Sequence, residues 1–182
     1  ITLGEGRGIY AKQRLVPFGE YVPFSKIFGK LLTFMDIPMS NFVEGKELPS
    51  PIEIHNLKIA PFICYEIAYP EQVLAQDGNV NMLLTVSNDA WFGKSIAQAQ
   101  HLQMAQMRAI EMGRPVLFVS NNGITAIINA QGNVQSRVPA HQEAVLTDFV
   151  QPTHGKTPWQ KYRMDPILAI LLGLLFLAIK RR

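Results

Sequence analysis

Six short apolar runs, each bounded by turn-forming residues, most constrain how this 182-residue chain can fold. The runs are rich in Val, Ile and Phe, with Gly, Asn, Asp or Pro near their ends, which is typical of β-strands. They cover residues 52–55, 57–64, 80–87, 115–121, 124–129 and 144–150. The segment "NAQGNV", from Asn129 to Val134, predicts a hairpin turn between two of these strands.

Two helices are predicted between the strands. Apolar residues recur at helical spacing from Ser95 to Met112, and Gly113 to Pro115 ends the pattern. A shorter helix is expected from Glu71 to Gln76. Strands mixed with helices predict an α/β layered domain, which we place at residues 1–158.

The remaining residues, 159–182, are predicted to form an interfacial segment and a C-terminal transmembrane helix. Asp165 can cap a helix, and "PILAILLGLLFLAI" carries no charged side chain before the closing "KRR". Trp159 and Tyr162 lie just upstream, where interfacial aromatic residues are common. The alternative is a helix buried in the core, because the apolar run is shorter than most membrane spans. A membrane span would place "KRR" in the cytoplasm and the domain on the other side.

Composition excludes several kinds of partner. Only 17% of the residues are charged, and the terminal "KRR" accounts for the net charge of +3. We therefore predict no nucleic-acid partner. One cysteine excludes an intrachain disulfide and a Cys-rich metal site, and the four histidines lack ligand spacing, so neither metal nor cofactor is expected.

That one cysteine, Cys64 in "PFICYEIAYPE", is the first candidate for chemistry. It ends a predicted buried strand, and the carboxyl ends of strands are where α/β folds tend to place their sites. A small buried core residue is the alternative. A reactive thiol needs a group that takes its proton. His101 reads as a polar surface residue of the long helix, so a carboxylate such as Glu66, assisted by a lysine, is the other option.

Lys12 and Glu20 lie in "YAKQRLVPFGEYVPF". Together with "ICYEIAYPE" and "SNDAWFGKSIAQAQHLQMAQMRAIEMGRPV", this stretch resembles the nitrilase (carbon–nitrogen hydrolase) superfamily. Within it, the "LVPFGEY" and "NDAWFG" forms are similar to the apolipoprotein N-acyltransferase family. The resemblance covers nearly the whole chain, through "NNGITAIINAQGNV" and the apolar tail.

This resemblance implies the C-terminal part of an α-β-β-α sandwich and a Glu-Lys-Cys triad. Carried over by motif, Lys12 is the triad lysine and Cys64 the nucleophile. Glu20 is a supporting glutamate, and Tyr65 and Glu66 follow the nucleophile as the acyltransferases require. It further implies that Cys64 takes an acyl chain from a phospholipid as a thioester and passes it to the N-terminal amine of a lipoprotein.

The sequence departs from the family pattern at two points. No carboxylate matches the triad glutamate, which the resemblance places before the lysine motif, so we expect the base to lie upstream of Ile1. The segment "LFVSNNG" also differs from the more usual "RATNTG".

Apolar residues near the candidate site suit a lipid substrate. Residues 21–43, here called the arm, include Phe28 and Leu31, which we predict to bind substrate. The arm reads either as an amphipathic helix against lipid or as a core helix. Trp91 and Phe92 in "NDAWFG" read equally well as core residues or as the lining of an acyl entrance.

Three functions follow from these observations. The first is an N-acyltransferase of the bacterial inner membrane, with its catalytic domain on the periplasmic side and its C-terminus cytoplasmic. The second is a nitrilase-type amidase that hydrolyses a small amide, and the third is a membrane-anchored module without catalysis. The apolar tail and the arm disfavour the second, and the combination of Lys12, Glu20, Cys64 and Glu66 disfavours the third.

Overall fold

A mixed seven-stranded sheet lies at the centre of the structure, a computed structural model that describes residues 6–17, 19–21, 42–45, 50–76 and 80–180. The spatial order of the strands follows their order in the chain. β3 pairs with β4 and β4 with β5 in parallel, and the other neighbours are antiparallel. The strands are β1 (Gly6–Arg7), β2 (Ile52–Ile54), β3 (Leu57–Ile63), β4 (Met82–Ser87), β5 (Val116–Ser120), β6 (Thr125–Ile128) and β7 (Val134–Val138).

Helices connect the parallel strands, because a parallel pair needs a crossover. α1 (Pro70–Leu74) lies between β3 and β4, and α2 (Ala97–Met112) lies between β4 and β5. Short 3-10 turns, Cys64–Ala68 and Asp89–Phe92, follow β3 and β4 directly. The last two helices are α3 (Pro158–Tyr162) and α4 (Asp165–Lys180).

The two faces of the central strands differ in burial. Leu83, Val116 and Phe118 point into a core that they form with α2. On alternate positions of the same strands, Val86 is 50% exposed and Val119 is 41% exposed. Since successive strand residues point to opposite faces, one face of the sheet is covered by α2 and the other is partly open.

The described structure confirms most of the predicted elements. Strands occupy the first five apolar runs, and α1 and α2 match the predicted helices to within two residues. The prediction of a strand at 144–150 is wrong, because that segment forms no regular element, and Val145 and Phe149 are over 90% exposed. The hairpin turn instead leads into β7, which the sequence analysis did not identify.

The predicted tail helix is present as α4, and none of its residues is buried. Within the described residues, α4 is therefore not part of the core. Among the helices that the structure describes, none combines the length and apolar character needed to cross a bilayer. Most of the arm, including Phe28 and Leu31, lies outside the described residues.

Candidate active site

Cys64 occupies a sharp turn at the carboxyl end of β3. The strand before it is buried from Ile59 to Phe62, so the position of the turn is fixed by the core. The φ angle of Cys64 is +55°, in the left-handed region that residues other than glycine rarely adopt. Such a backbone persists only where surrounding contacts hold it, and it is common at functional sites.

A cavity of about 590 Å³ opens onto Cys64. Its lining is mostly apolar, which suits a hydrocarbon substrate better than a small polar amide. The residues around it are Val16, Gly19, Glu20, Phe42, Ile63, Cys64, Tyr65, Asn88, Trp91 and Phe92. Trp91 is 75% exposed, so the structure places it on the cavity wall and outside the core.

Lys12 and Glu20 form an ion pair beside this cavity. The Lys12 ammonium donates to both oxygens of Glu20, at 2.5 and 2.6 Å. The backbone N–H of Val16 also donates to Glu20, at 2.8 Å. The Lys12 side chain is 11% exposed, so its charge is largely shielded from solvent. The pair fixes the ammonium group at one place near the cavity.

Glu66 is fully buried and accepts hydrogen bonds from five donors. The N–H of Ile63 donates at 2.7 Å, which ties Glu66 to the strand end that carries Cys64. The N–H groups of Gln13 and Arg14 donate at 2.6 and 3.1 Å. The remaining donors are the Tyr10 hydroxyl at 2.8 Å and Gln72 Nε2 at 2.9 Å. One carboxylate thereby fastens the segment around Lys12 to the turn at Cys64.

The Tyr10 hydroxyl remains a donor in this arrangement. Burial, and then the charge of the neighbouring Glu66 carboxylate, raise the pKa of Tyr10 well above its ordinary value. Tyr10 is therefore protonated at any physiological pH and Glu66 is held as an acceptor.

His101 lies on the core side of the Cys64 turn, which sequence reasoning missed. The prediction that it is a polar surface residue is wrong, because it is 4% exposed. Its Nε2 lies 3.1 Å from the Cys64 carbonyl oxygen, and its Nδ1 lies 3.2 Å from Asp89 Oδ1. A signal was available in the sequence: His101 is in register with Leu102, Ala105 and Ala109 on the buried side of the long helix.

Asp89 completes this network behind the cavity. The hydroxyls of Ser87 and Ser120 donate to its two oxygens, at 2.5 and 2.9 Å. Burial raises the pKa of Asp89, but the hydrogen bonds from His101, Ser87 and Ser120 outweigh burial and hold it below the usual range. Asp89 is therefore a carboxylate.

The structure thus brings Lys12, Glu20, Cys64, Tyr65 and Glu66 to one region, together with Trp91 and Phe92. Across the described ranges, no group of three or more His, Cys, Asp or Glu side chains could hold a metal ion. The site can support nucleophilic chemistry at Cys64, with the Lys12 ammonium held by Glu20, a residue of the cavity wall.

Known proteins resemble the chain in sequence. The model of the carbon-nitrogen hydrolase family matches residues 2–156. Apolipoprotein N-acyltransferase of Azotobacter vinelandii is 47% identical over all of this chain and 35% of that protein. The enzyme of the same name from Coxiella burnetii is 44% identical over 97% of this chain and 36% of that protein. The chain therefore spans about a third of the length of these relatives.

Two solved structures align with part of the chain at low sequence identity. Saccharomyces cerevisiae Nit3, a member of branch 10 of the nitrilase superfamily, gives a TM-score of 0.49 at 17% identity, over 56% of this chain and 40% of that chain. A carbon-nitrogen hydrolase from Helicobacter pylori gives 0.47 at 16% identity, over 56% of this chain and 43% of that chain.

Proposed function

Since the chain belongs to the carbon–nitrogen hydrolase family, we propose that it carries the nucleophile of an N-acyltransferase. In this proposal, Cys64 takes an acyl chain from a phospholipid and transfers it to the N-terminal amine of a lipoprotein's diacylglyceryl-cysteine. The observation that carries the proposal is the position of Cys64, at a positive φ angle, on the wall of a largely apolar cavity. The names of the relatives support the choice of acyl transfer over amide hydrolysis.

The reaction proceeds in two covalent steps. The thiolate of Cys64 attacks the ester carbonyl of the phospholipid, the ester C–O bond breaks, and the lysophospholipid leaves with a proton. The amine of the acceptor then attacks the thioester carbonyl, and an amide forms as the C–S bond breaks and the thiol is regenerated. Each step passes through an oxyanion, and we assign its stabilisation to the Lys12 ammonium and the N–H of Tyr65.

The general base is proposed to come from a segment before Ile1. Both glutamates near the site have other partners: Glu20 binds Lys12, and Glu66 binds five donors. We assign Glu20 the role of orienting Lys12, and Glu66 that of joining the lysine segment to the nucleophile turn. The Glu-Lys-Cys triad is complete only when a third carboxylate reaches Cys64.

We assign the apolar lining of the cavity beside Cys64 to binding of the acyl chain. Trp91 and Phe92 lie on the wall of the cavity, 75% and 37% exposed, where a hydrocarbon chain would cover them. Covering apolar surface contributes about 25 cal/mol for each Å² removed from water. Phe28 and Leu31 of the arm are proposed to extend this surface.

We propose that α4 is the membrane segment. It exposes ten large apolar side chains between Ile167 and Ile179, more than a folded domain leaves in water without a partner. Inserted in the bacterial inner membrane, it would hold the domain on the periplasmic side, close to both lipid substrates, with its C-terminus cytoplasmic. The basic "KRR" supports that orientation.

Product analysis tests this function. The full-length protein in phospholipid vesicles is given a diacylglyceryl-cysteine lipopeptide with a free amine, and the products are resolved by mass spectrometry. We expect an N-acylated lipopeptide and a lysophospholipid in equal amounts, and neither product from Cys64→Ala. Release of free fatty acid without N-acylation would instead indicate a hydrolase, and the absence of both products would indicate a module without catalysis.

A further inference from the structure

A series of buried side chains on the core side of the turn contacts the carbonyl group of Cys64. His101 contacts the carbonyl oxygen through Nε2 at 3.1 Å, and Asp89 through Nδ1 at 3.2 Å. Both partner atoms are acceptors, so each contact is a hydrogen bond when the ring nitrogen that faces it carries the hydrogen. The ring of Phe118 meets the imidazole edge-to-face, with centroids 5.1 Å apart, which restricts its rotation.

The same series of buried side chains links the carboxyl ends of three strands. Cys64 follows β3, Asp89 follows β4, and Ser120 is the last residue of β5. Ser120 donates to Asp89 and accepts from the N–H of Gly123 at 3.0 Å. A Cβ on Gly123 would collide with the Asp89 carboxylate, so the loop after β5 leaves room for Asp89 only because it has glycine there. These contacts hold the Asp89 carboxylate, which in turn contacts His101.

The backbone of Cys64 requires such support. Its φ of +55° costs free energy that local contacts must offset. On one side of the turn, Glu66 accepts from the N–H of Ile63. On the other side, His101 is the side chain that contacts the carbonyl of Cys64. If either hydrogen bond is broken, the turn can relax toward ordinary backbone angles and carry the thiol away from its reacting position.

We propose that His101, held by Asp89, is a positioning residue that fixes the Cys64 carbonyl and thereby directs the Cys64 thiol into the cavity. This inference rests on the proposed function for the identity of the reaction, but not for the contact itself. His101 does not touch the thiol in this account, and it is neither the general base nor an oxyanion donor. Its contribution is the orientation of the nucleophile.

Two substitutions separate positioning from a general structural role. His101→Asn keeps an amide near Nδ1, where it can still donate to Asp89, but it is too short to reach the Cys64 carbonyl. His101→Gln extends an amide to the place of Nε2, where it can donate to that carbonyl, and no longer reaches Asp89. If His101 only stabilises the fold, activity should follow stability. The Asn variant, which keeps the contact with Asp89, should then be at least as active as the Gln variant. The positioning role predicts the reverse order of activity.

The full-length protein carrying each substitution is tested for two rates and for thermal unfolding. One rate is thioester formation on Cys64 from phospholipid vesicles, and the other is alkylation of Cys64 by iodoacetamide, both read on the Cys64 peptide by mass spectrometry. We expect thioester formation to fall roughly 100-fold in His101→Asn and less than about 10-fold in His101→Gln, because a misplaced nucleophile costs rate steeply. Alkylation should follow the same order. Gln103→Asn, on the exposed side of α2, is the matched control and should leave both rates unchanged.

Equal rates in the two His101 variants, or a faster Asn variant, would overturn the inference. If the unsubstituted protein forms no thioester, the proposed function fails while the alkylation order still decides the role of His101. In that case, faster alkylation of Cys64 in His101→Gln than in His101→Asn, without a higher melting temperature in His101→Gln, would be sufficient to support the positioning role.

Discussion

Two glutamates near Cys64, Glu20 and Glu66, are the same residue type in opposite surroundings. The Glu20 side chain is 26% exposed, and its main partner is the charged ammonium of Lys12. Glu66 is fully buried, and its five donors are three backbone N–H groups, a hydroxyl and an amide, all uncharged. Glu20 therefore orients a charge, whereas Glu66 joins two segments of backbone.

The contrast between the two glutamates shows how carboxylates at this site can be assigned to roles. A general base needs an oxygen that is open to the proton it takes. Glu66 lies two residues after Cys64 and is close to it in sequence, yet its two oxygens already serve five donors. Proximity in sequence is therefore a poor guide here, and the hydrogen-bond partners decide the role.

The largest effect is expected from Glu66→Gln. The amide nitrogen that replaces one oxygen would face N–H and O–H donors, which leaves buried groups unsatisfied. We expect the free energy of unfolding to fall by roughly 3 kcal/mol. Acyl transfer should fall about 100-fold or more, because Lys12 would no longer be held in a fixed position relative to Cys64. Chemical denaturation and product formation measure the two effects. The exposed Glu143→Gln is the control, and a stable Glu66→Gln variant would remove the distinction between the two glutamates.

Glu20→Gln should separate activity from stability. The Glu20 side of the ion pair is 26% exposed, and the amide oxygen of glutamine can still accept from the ammonium, so the free energy of unfolding should fall by about 1 kcal/mol, less than in Glu66→Gln. Acyl transfer should still fall on the order of 10-fold, because the ammonium is no longer held where the oxyanion forms. The same two assays apply. A drop in stability as large as that of Glu66→Gln would contradict the assignment of Glu20 to orientation alone.

The smallest effect is expected from Tyr10→Phe. It removes one of the five donors to Glu66 and leaves the four others, so the free energy of unfolding should fall by about 1 kcal/mol. Activity should change by less than about 3-fold, because the N–H groups of Gln13 and Arg14 still hold the lysine segment. Tyr162→Phe, at an exposed position, serves as the comparison. A collapse of activity in Tyr10→Phe would mean that the hydroxyl has a direct part in the reaction.

Much of the fold could be predicted from local sequence, because strand and helix periods are local properties. The alternation of Leu83, Thr85 and Ser87 with Leu84 and Val86 fits a strand between two unlike faces, and the structure confirms it. The segment 144–150 has the composition of a strand but pairs with no described neighbour. β-Propensity reflects packing against neighbouring strands, so strand-like composition alone wrongly predicted a strand at 144–150. β7 is the reverse case, because it forms a strand without a strand-like composition. Its residues alternate between half-buried and exposed, and the exposed ones are the polar Gln135 and Arg137.

The candidate site was predictable where a motif carries it, as for Cys64, Lys12 and Glu20. The partners of Glu66 and His101 were not, because they depend on contacts between segments far apart in the chain. His101 reaches Cys64 across 37 positions, and Tyr10 reaches Glu66 across 56. A single sequence gives no sign of either contact.

The mass of the Cys64 peptide after exposure to phospholipid shows whether Cys64 carries the acyl chain as a thioester. The full-length protein is mixed with vesicles of one defined acyl chain and no acceptor, quenched in acid and digested. We expect the peptide to gain the mass of that acyl group, neutral hydroxylamine to remove it, and Lys12→Arg to slow its formation about 100-fold. An unmodified Cys64 in a protein that still N-acylates its acceptor would contradict the account, because transfer would then proceed without the thioester.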